Sequence, residues 1–202
     1  MIRFDNIPPE IMQAMITPMH LIPLPPFSSS SQQTLPGHLY LGSLSALQDP
    51  TLLRHHRITH LVQVLDVPWL PLSEKDGYTC YKIPVGDEET VDLRPFLENV
   101  CSWIWEVLRG GGNVLVHCQQ GISRSPAIII AYLMRFHRMS YASASSYVLK
   151  TRACIKPNKG FVRTLQEWET IVANGGYNAA AAAAAGGSGG QRPGMGSRRF
   201  TT

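Results

Sequence analysis

Apolar positions along this chain recur with two different periods, and the changes of period mark its elements. Ile58–Val64 is a short β-branched run, which predicts a strand. Thr79–Val85 predicts another after a loop around Pro68 and Pro71, and Val114–His117 is a third run, short enough for a buried strand. Tyr40-Leu41-Gly42 predicts a shorter strand that ends at a turn. Elsewhere the spacing is helical. Pro95–Leu108 puts Phe96, Leu97, Val100, Ile104, Val107 and Leu108 on one side of an amphipathic helix, and Gly110-Gly111-Gly112 stops it. Asp49-Pro50-Thr51-Leu52-Leu53 carries a helix start, with Asp49 as cap and Pro50 in the first turn. Ala127-Ile128-Ile129-Ile130-Ala131 opens a pattern long enough for a helix through Arg138. A further helix starts at Ser140 or Tyr141 and runs to about Lys150. Asn158 caps a last one, whose apolar positions include Phe161, Leu165, Trp168 and Ile171.

Strands alternating with helices predict an α/β domain, with a central, mainly parallel sheet flanked by helices. The expected boundaries are 35–174. Residues 1–34 are rich in Pro and Ser; Pro9–Ile16 has the spacing of a short helix, but the segment is expected to be a mobile extension. Residues 175–202 hold seven consecutive alanines and then a Gly/Ser/Arg-rich stretch, a composition that builds no core, so a disordered tail is expected.

The chemistry concentrates in His117-Cys118-Gln119-Gln120-Gly121-Ile122-Ser123-Arg124-Ser125-Pro126, between a predicted strand and a predicted helix. A nucleophile on such a tight connection lies where backbone N–H groups converge, and a helix N-terminus both binds anions and depresses a thiol's pKa. Arg124 adds a planar fork that matches two oxygens of a phosphate. A thiolate, an anion cradle and an arginine clamp this close together imply phosphoryl transfer to cysteine. In a parallel sheet the site lies at the carboxyl ends of the strands, where Cys118 falls. The transfer also needs a proton donor for the departing oxygen. The loop has none, and Asp87, Glu88, Glu89 and Asp92, all following the Thr79–Val85 strand, are the candidates.

Composition narrows the field further. With 44% hydrophobic and 16% charged residues, the 202-residue chain holds one domain of ordinary size plus tails. Its net charge is +4, of which about +2 remains on the body once Arg3, Asp5, Glu10, Arg192, Arg198 and Arg199 are set aside. That is too little to predict nucleic-acid binding. No apolar run is long enough to span a bilayer, and prolines interrupt every apolar run near the start, so no membrane association and no secretory leader are expected. Cys80, Cys101, Cys118 and Cys154 have no metal-ligand spacing. A reducing compartment, cytosol or nucleus, is expected, with Cys80, Cys101 and Cys154 as buried hydrophobes and one of them as an alternative resolving thiol for oxidised Cys118.

His-Cys-x-x-Gly-x-Ser-Arg-Ser resembles the signature of the cysteine-dependent protein tyrosine phosphatase superfamily, specifically its atypical, single-domain dual-specificity group. The resemblance covers roughly Leu35 to Ile171 and implies a phosphotyrosine-phosphatase-like fold. Tyr81-Lys82-Ile83-Pro84-Val85-Gly86-Asp87 is similar to the family's acid-bearing stretch, which singles out Asp87 as general acid and base, with Asp92 the alternative. It further implies Cys118 as nucleophile and Gln119, Gln120, Gly121, Ile122, Ser123 and Arg124 as the phosphate cradle. Ser125 would stabilise the departing thiolate, and His117 and Asn158 would support the loop. Thr164 departs from the family, standing where Gln is frequent. Neither metal nor cofactor is implied.

A compact domain without the segment that deepens tyrosine-specific pockets is expected to accept phosphoserine and phosphothreonine as well as phosphotyrosine. The expected partners are phosphoprotein substrates, and the chain is expected to be a monomer. The uncharged Gln119, Gln120, Ile122 and Ser123 count against a phosphoinositide substrate, where related enzymes tend to place Lys. The alternatives are a phosphoinositide or other non-protein phosphatase, a non-catalytic phospho-binding module, and sulfur transfer on a rhodanese-like loop.

Overall fold

The computed structural model describes residues 7–25, 35–67 and 72–174. A five-stranded sheet lies at its centre, built from β1 (Met19–Ile22), β2 (Leu39–Ser43), β3 (Ile58–Val64), β4 (Thr79–Ile83) and β5 (Asn113–Cys118). The spatial order is β1-β2-β5-β3-β4. The pairs β2–β5, β5–β3 and β3–β4 are parallel, so the sheet is mainly parallel as the alternation predicts. β5 is the middle strand, and Val114, Leu115 and Val116 are fully buried. A central parallel strand covered on both faces has no polar side to show, which is why this run lacks alternation. Register places Cys118 level with Ser43, and His117 level with Gln63, at the carboxyl ends of their strands.

Among the described residues six α-helices accompany the sheet: α1 (Pro9–Ile16), α2 (Pro50–His55), α3 (Arg94–Arg109), α4 (Arg124–His137), α5 (Tyr141–Thr151) and α6 (Lys159–Ala173). α4 contacts β5 and β2 and is surrounded by α3, α5 and α6. Every residue from Ser125 to Met134 is buried. Such a helix is apolar all round because it has a neighbour all round. The Arg135 guanidinium reaches Glu98 on α3 at 3.0 Å, and the Trp168 indole N–H of α6 donates to the Ala131 carbonyl at 3.4 Å. Asp49 caps α2 as expected, accepting the Thr51 and Leu52 N–H groups at 3.0 Å. No helix among the described residues is long and apolar enough to cross a membrane.

The structure moves the expected start of the domain. Residues ahead of Leu35 are folded: β1 pairs antiparallel with β2, Met19 opposite Gly42 and Ile22 opposite Leu39, and both Met19 and Ile22 enter the core. Pro18 and Pro23 flank the strand rather than interrupt it. The Pro18 carbonyl accepts the Ser43 N–H at 2.9 Å, and the Pro23 carbonyl accepts the Tyr147 hydroxyl at 2.7 Å. A proline outside a four-residue edge strand removes no ladder donor, so prolines that look like breakers are tolerated. The Ser28–Gln33 run, the loop around Pro68 and Pro71, and residues 175–202 lie outside the described residues.

Candidate active site

Five residues, Gln119–Ser123, connect β5 to α4, and their backbone is held from outside. The Gln119 carbonyl accepts the Leu44 N–H at 3.1 Å, and the Ile122 carbonyl accepts the Lys156 N–H at 2.6 Å. Between them the Arg152 guanidinium donates from Nη2 to the Gln120 carbonyl at 3.1 Å and from Nε to the Gly121 carbonyl at 3.0 Å. In a trans peptide the N–H points opposite to the carbonyl it shares a plane with. Four carbonyls drawn outward therefore turn the N–H groups of Gln120, Gly121, Ile122 and Ser123 toward the inside of the loop. The turn needs glycine at its middle: Gly121 has φ +69°, and a Cβ there would lie 2.7 Å from the Gly42 carbonyl oxygen.

Cys118 sits at the bottom of this cradle, 1% exposed. Its Sγ accepts two hydrogen bonds, from the Gly121 N–H and from the Ser125 hydroxyl, both at 3.2 Å. The Ser125 hydroxyl also lies 3.4 Å from the Gly42 carbonyl, and its single proton serves one acceptor at a time. Arg124 opens α4 beside the loop. Its Nη1 donates to the Val85 carbonyl at 3.3 Å, and its Nε lies 3.6 Å from Asp87 Oδ2.

That contact brings the acid loop to the thiol. Asp87 Oδ1 accepts the Ser123 hydroxyl at 2.5 Å and the Asn158 amide at 3.0 Å, and the same amide nitrogen reaches the Asp87 carbonyl at 3.2 Å. Asn158 is doubly employed. Its Oδ1 accepts the Phe161 N–H at 2.9 Å and caps α6, while its own N–H donates to Ser123 Oγ at 3.0 Å. Asp92 faces elsewhere: it holds the Arg94 guanidinium at 2.9 and 3.0 Å and the Arg94 N–H at 2.9 Å. Those hydrogen bonds keep its carboxyl below the usual carboxylate range. Glu88 and Glu89 are exposed, and among the described residues no side-chain hydrogen bond or ion pair ties either to the cradle.

His117 is completely buried, with a backbone hydrogen bond to Cys118 that only partly offsets the cost of charging its ring there. Burial pushes its pKa down to about 4, so it is neutral near pH 7 and offers the loop bulk rather than charge. Two contributors escape a reading of the sequence. Arg152 is fully buried behind the loop, although nothing in Thr151-Arg152-Ala153-Cys154 distinguishes it from a surface arginine. Ser123 is expected as a phosphate-side residue, yet its side chain bridges Asp87 and Asn158. The remaining cysteines behave as hydrophobes: burial raises the Cys80 thiol to about 11 and raises Cys101 and Cys154 as well.

The arrangement offers a thiol, inward N–H groups, a guanidinium and a carboxyl group around one small space. The sequence model described as dual specificity phosphatase, catalytic domain, matches residues 39–171. The chain belongs to the dual specificity phosphatase family. Its domain is thus a phosphatase domain of the cysteine-dependent protein tyrosine phosphatase superfamily, a hydrolase. Among similar proteins is dual specificity protein phosphatase 1 of Arabidopsis thaliana, 37% identical over 65% of this chain and 65% of that protein. The mouse serine/threonine/tyrosine-interacting protein is 36% identical over 72% of this chain and 67% of its own length. The chain thus spans about two thirds of these relatives. The crystal structure of human DUSP28 superposes with a TM-score of 0.63 at 34% identity, over 67% of this chain and 90% of that one. β1 lies ahead of the segment that the family shares.

Proposed function

We propose that this domain hydrolyses phosphotyrosine and phosphoserine or phosphothreonine on protein substrates through a phosphocysteine intermediate. One observation carries the reading. Asp87 is tied by Ser123 and Asn158 to the same loop that surrounds Cys118, so acid and nucleophile keep a fixed relation.

In the first step the Cys118 thiolate attacks phosphorus, the bond to the seryl, threonyl or tyrosyl oxygen breaks, and protonated Asp87 gives that oxygen its proton. In the second, Asp87 as carboxylate takes a proton from water, the water oxygen bonds to phosphorus, and the thiolate departs. Ser125 stabilises it by the hydroxyl donation already present at 3.2 Å. The inward N–H groups and the Arg124 fork meet the equatorial oxygens in both steps, supplying the electrostatic stabilisation that usually dominates. Arg124 exchanges its Val85 carbonyl partner for the phosphoryl group. The need for a free thiolate nucleophile favours a reducing compartment, cytosol or nucleus, as its location.

The uncharged loop positions favour phosphoprotein over polyanionic lipid headgroups. Phosphotyrosyl and phosphothreonyl peptides are both expected to release phosphate in mildly acidic buffer with a chelator present, and Cys118→Ser is expected to abolish the release. Faster turnover of phosphoinositide vesicles than of either peptide would overturn the substrate class. Tight phosphopeptide binding without release would instead make the domain a binding module.

A further inference from the structure

Arg152 does more than brace the phosphate loop. Its Nε and Nη2 serve the Gly121 and Gln120 carbonyls, but Nη1 points the other way, to the Thr17 carbonyl at 2.9 Å and to His20 Nδ1 at 2.9 Å. His20 lies on β1, opposite Leu41 and next to the position that pairs with Gly42. A guanidinium has only donors, so His20 Nδ1 must accept, which requires a neutral ring with its proton on Nε2. One buried fork thus spans the distance from the N-terminal strand to the peptide groups that shape the cradle.

We propose that His20 is a positioning residue for the phosphate loop, acting through Arg152, so that the N-terminal arm sets the site's affinity for a phosphoryl group. This rests on the loop being the phosphate site of the function proposed above. Because the guanidinium is planar and rigid, its aim at two loop carbonyls depends on what anchors its third corner. Without the His20 acceptor, Nη1 keeps the Thr17 carbonyl, and the fork loses one of the contacts that set its tilt against the loop. Protonation of His20 has the same effect by another route: the imidazolium has no acceptor and faces a cation. Among the described residues, Arg152 is the charged group acting on His20, and together with burial it lowers the histidine's pKa. On its far side Arg152 faces the Cys118 and Cys154 thiols.

The test uses the full chain, with inorganic phosphate binding measured by calorimetry and aryl phosphate hydrolysis in parallel. His20→Leu is expected to weaken phosphate binding about tenfold at pH 7, the loss of one charge-assisted hydrogen bond. His20→Asn, whose amide oxygen replaces Nδ1 as acceptor, is expected to restore it to within about threefold. As pH falls below 6.5 the wild type should lose affinity faster than His20→Asn, since His20 is the titrating group the two chains do not share and its pKa is lowered from that value; phosphate ionisation and the other histidines are common to both. Unchanged binding in His20→Leu, or identical pH slopes for the wild type and His20→Asn, would overturn the proposal. The slope comparison decides alone should His20→Leu not fold. A wild type that binds phosphate in this His20-dependent way without hydrolysing any ester would sink the proposed function and leave this inference standing.

Discussion

Asp87 and Asp92 occupy the same loop in the sequence, and their surroundings divide them. Asp92 spends its oxygens on Arg94, whereas Asp87 is held at 2.5 Å by Ser123 and 3.0 Å by Asn158 beside the thiol. Asp87→Ala is therefore expected to cut turnover by a factor on the order of 10²–10⁴ while phosphate still binds. Asp92→Ala should leave turnover near the wild-type value and change stability by less than about 1 kcal/mol, because its ion pair is solvated. Steady-state kinetics and urea melts of both variants check this, and a worse kcat for Asp92→Ala would reverse the assignment. Ser125→Ala should slow the second step more than the first, seen as a burst of released leaving group before the steady rate. Position after the strand left four carboxylates equivalent, and the resemblance of residues 81–87 to the family's acid-bearing stretch singled out Asp87. The pair of side chains from distant elements that holds it was not legible, because no spacing rule links residues 87, 123 and 158.

At the scale of elements, Asn158 joins two tasks that separate substitutions can pull apart. Asn158→Ala loses the cap of α6 and is expected to cost about 1 kcal/mol as well as turnover. Asn158→Asp keeps a capping oxygen but loses the amide donor and sets a like charge against Asp87. Its melt should stay close to wild type while kcat falls; equal damage to both quantities would mean that Asn158 is only a cap. The elements themselves were legible where the pattern is long or strongly apolar: β3 spans Ile58–Val64 as the β-branched run predicts, and α1 spans Pro9–Ile16. β4 stops at Ile83, short of the expected Val85, because Pro84 brings no ladder donor. β1 was missed for a related reason. Four residues between two prolines give no period to read, and pairing with β2 and the burial of Met19 and Ile22 supply the stability that local sequence lacks.

Across the whole molecule, the burial of His117 couples folding to pH. Its pKa falls from 6.5 to about 4 on folding, so between those values the unfolded chain binds more protons than the folded one. Stability must then fall as pH drops from about 6.5 toward 4 and level off below, a loss of about 3 kcal/mol from this residue. Urea melts across that window are expected to show the slope, and His117→Leu, nearly equal in volume, should reduce it by up to one proton's worth. An unchanged slope would mean that His117 is solvated. Burial likewise lowers His137 to about 4, so some slope will remain in that variant. The mainly parallel sheet was readable from alternation, and the position of Cys118 at its strand ends from the loop between strand and helix, but the depth at which His117 and Arg152 lie was not. His117 is enclosed on the middle strand between β2 and β3, and Arg152 between the loop and β1, a consequence of assembly rather than of local sequence.

The central claim, a phosphoryl group carried on Cys118, is tested most directly by acid-quenching the enzyme during turnover of a phosphotyrosyl peptide and mapping the phosphate by mass spectrometry. The account predicts a phosphate adduct on the Cys118 thiol, enriched in Asp87→Ala if substrate with a good leaving group is used, and absent in Cys118→Ser together with all hydrolysis. Continued turnover in Cys118→Ser, or an adduct on any other residue, would contradict it.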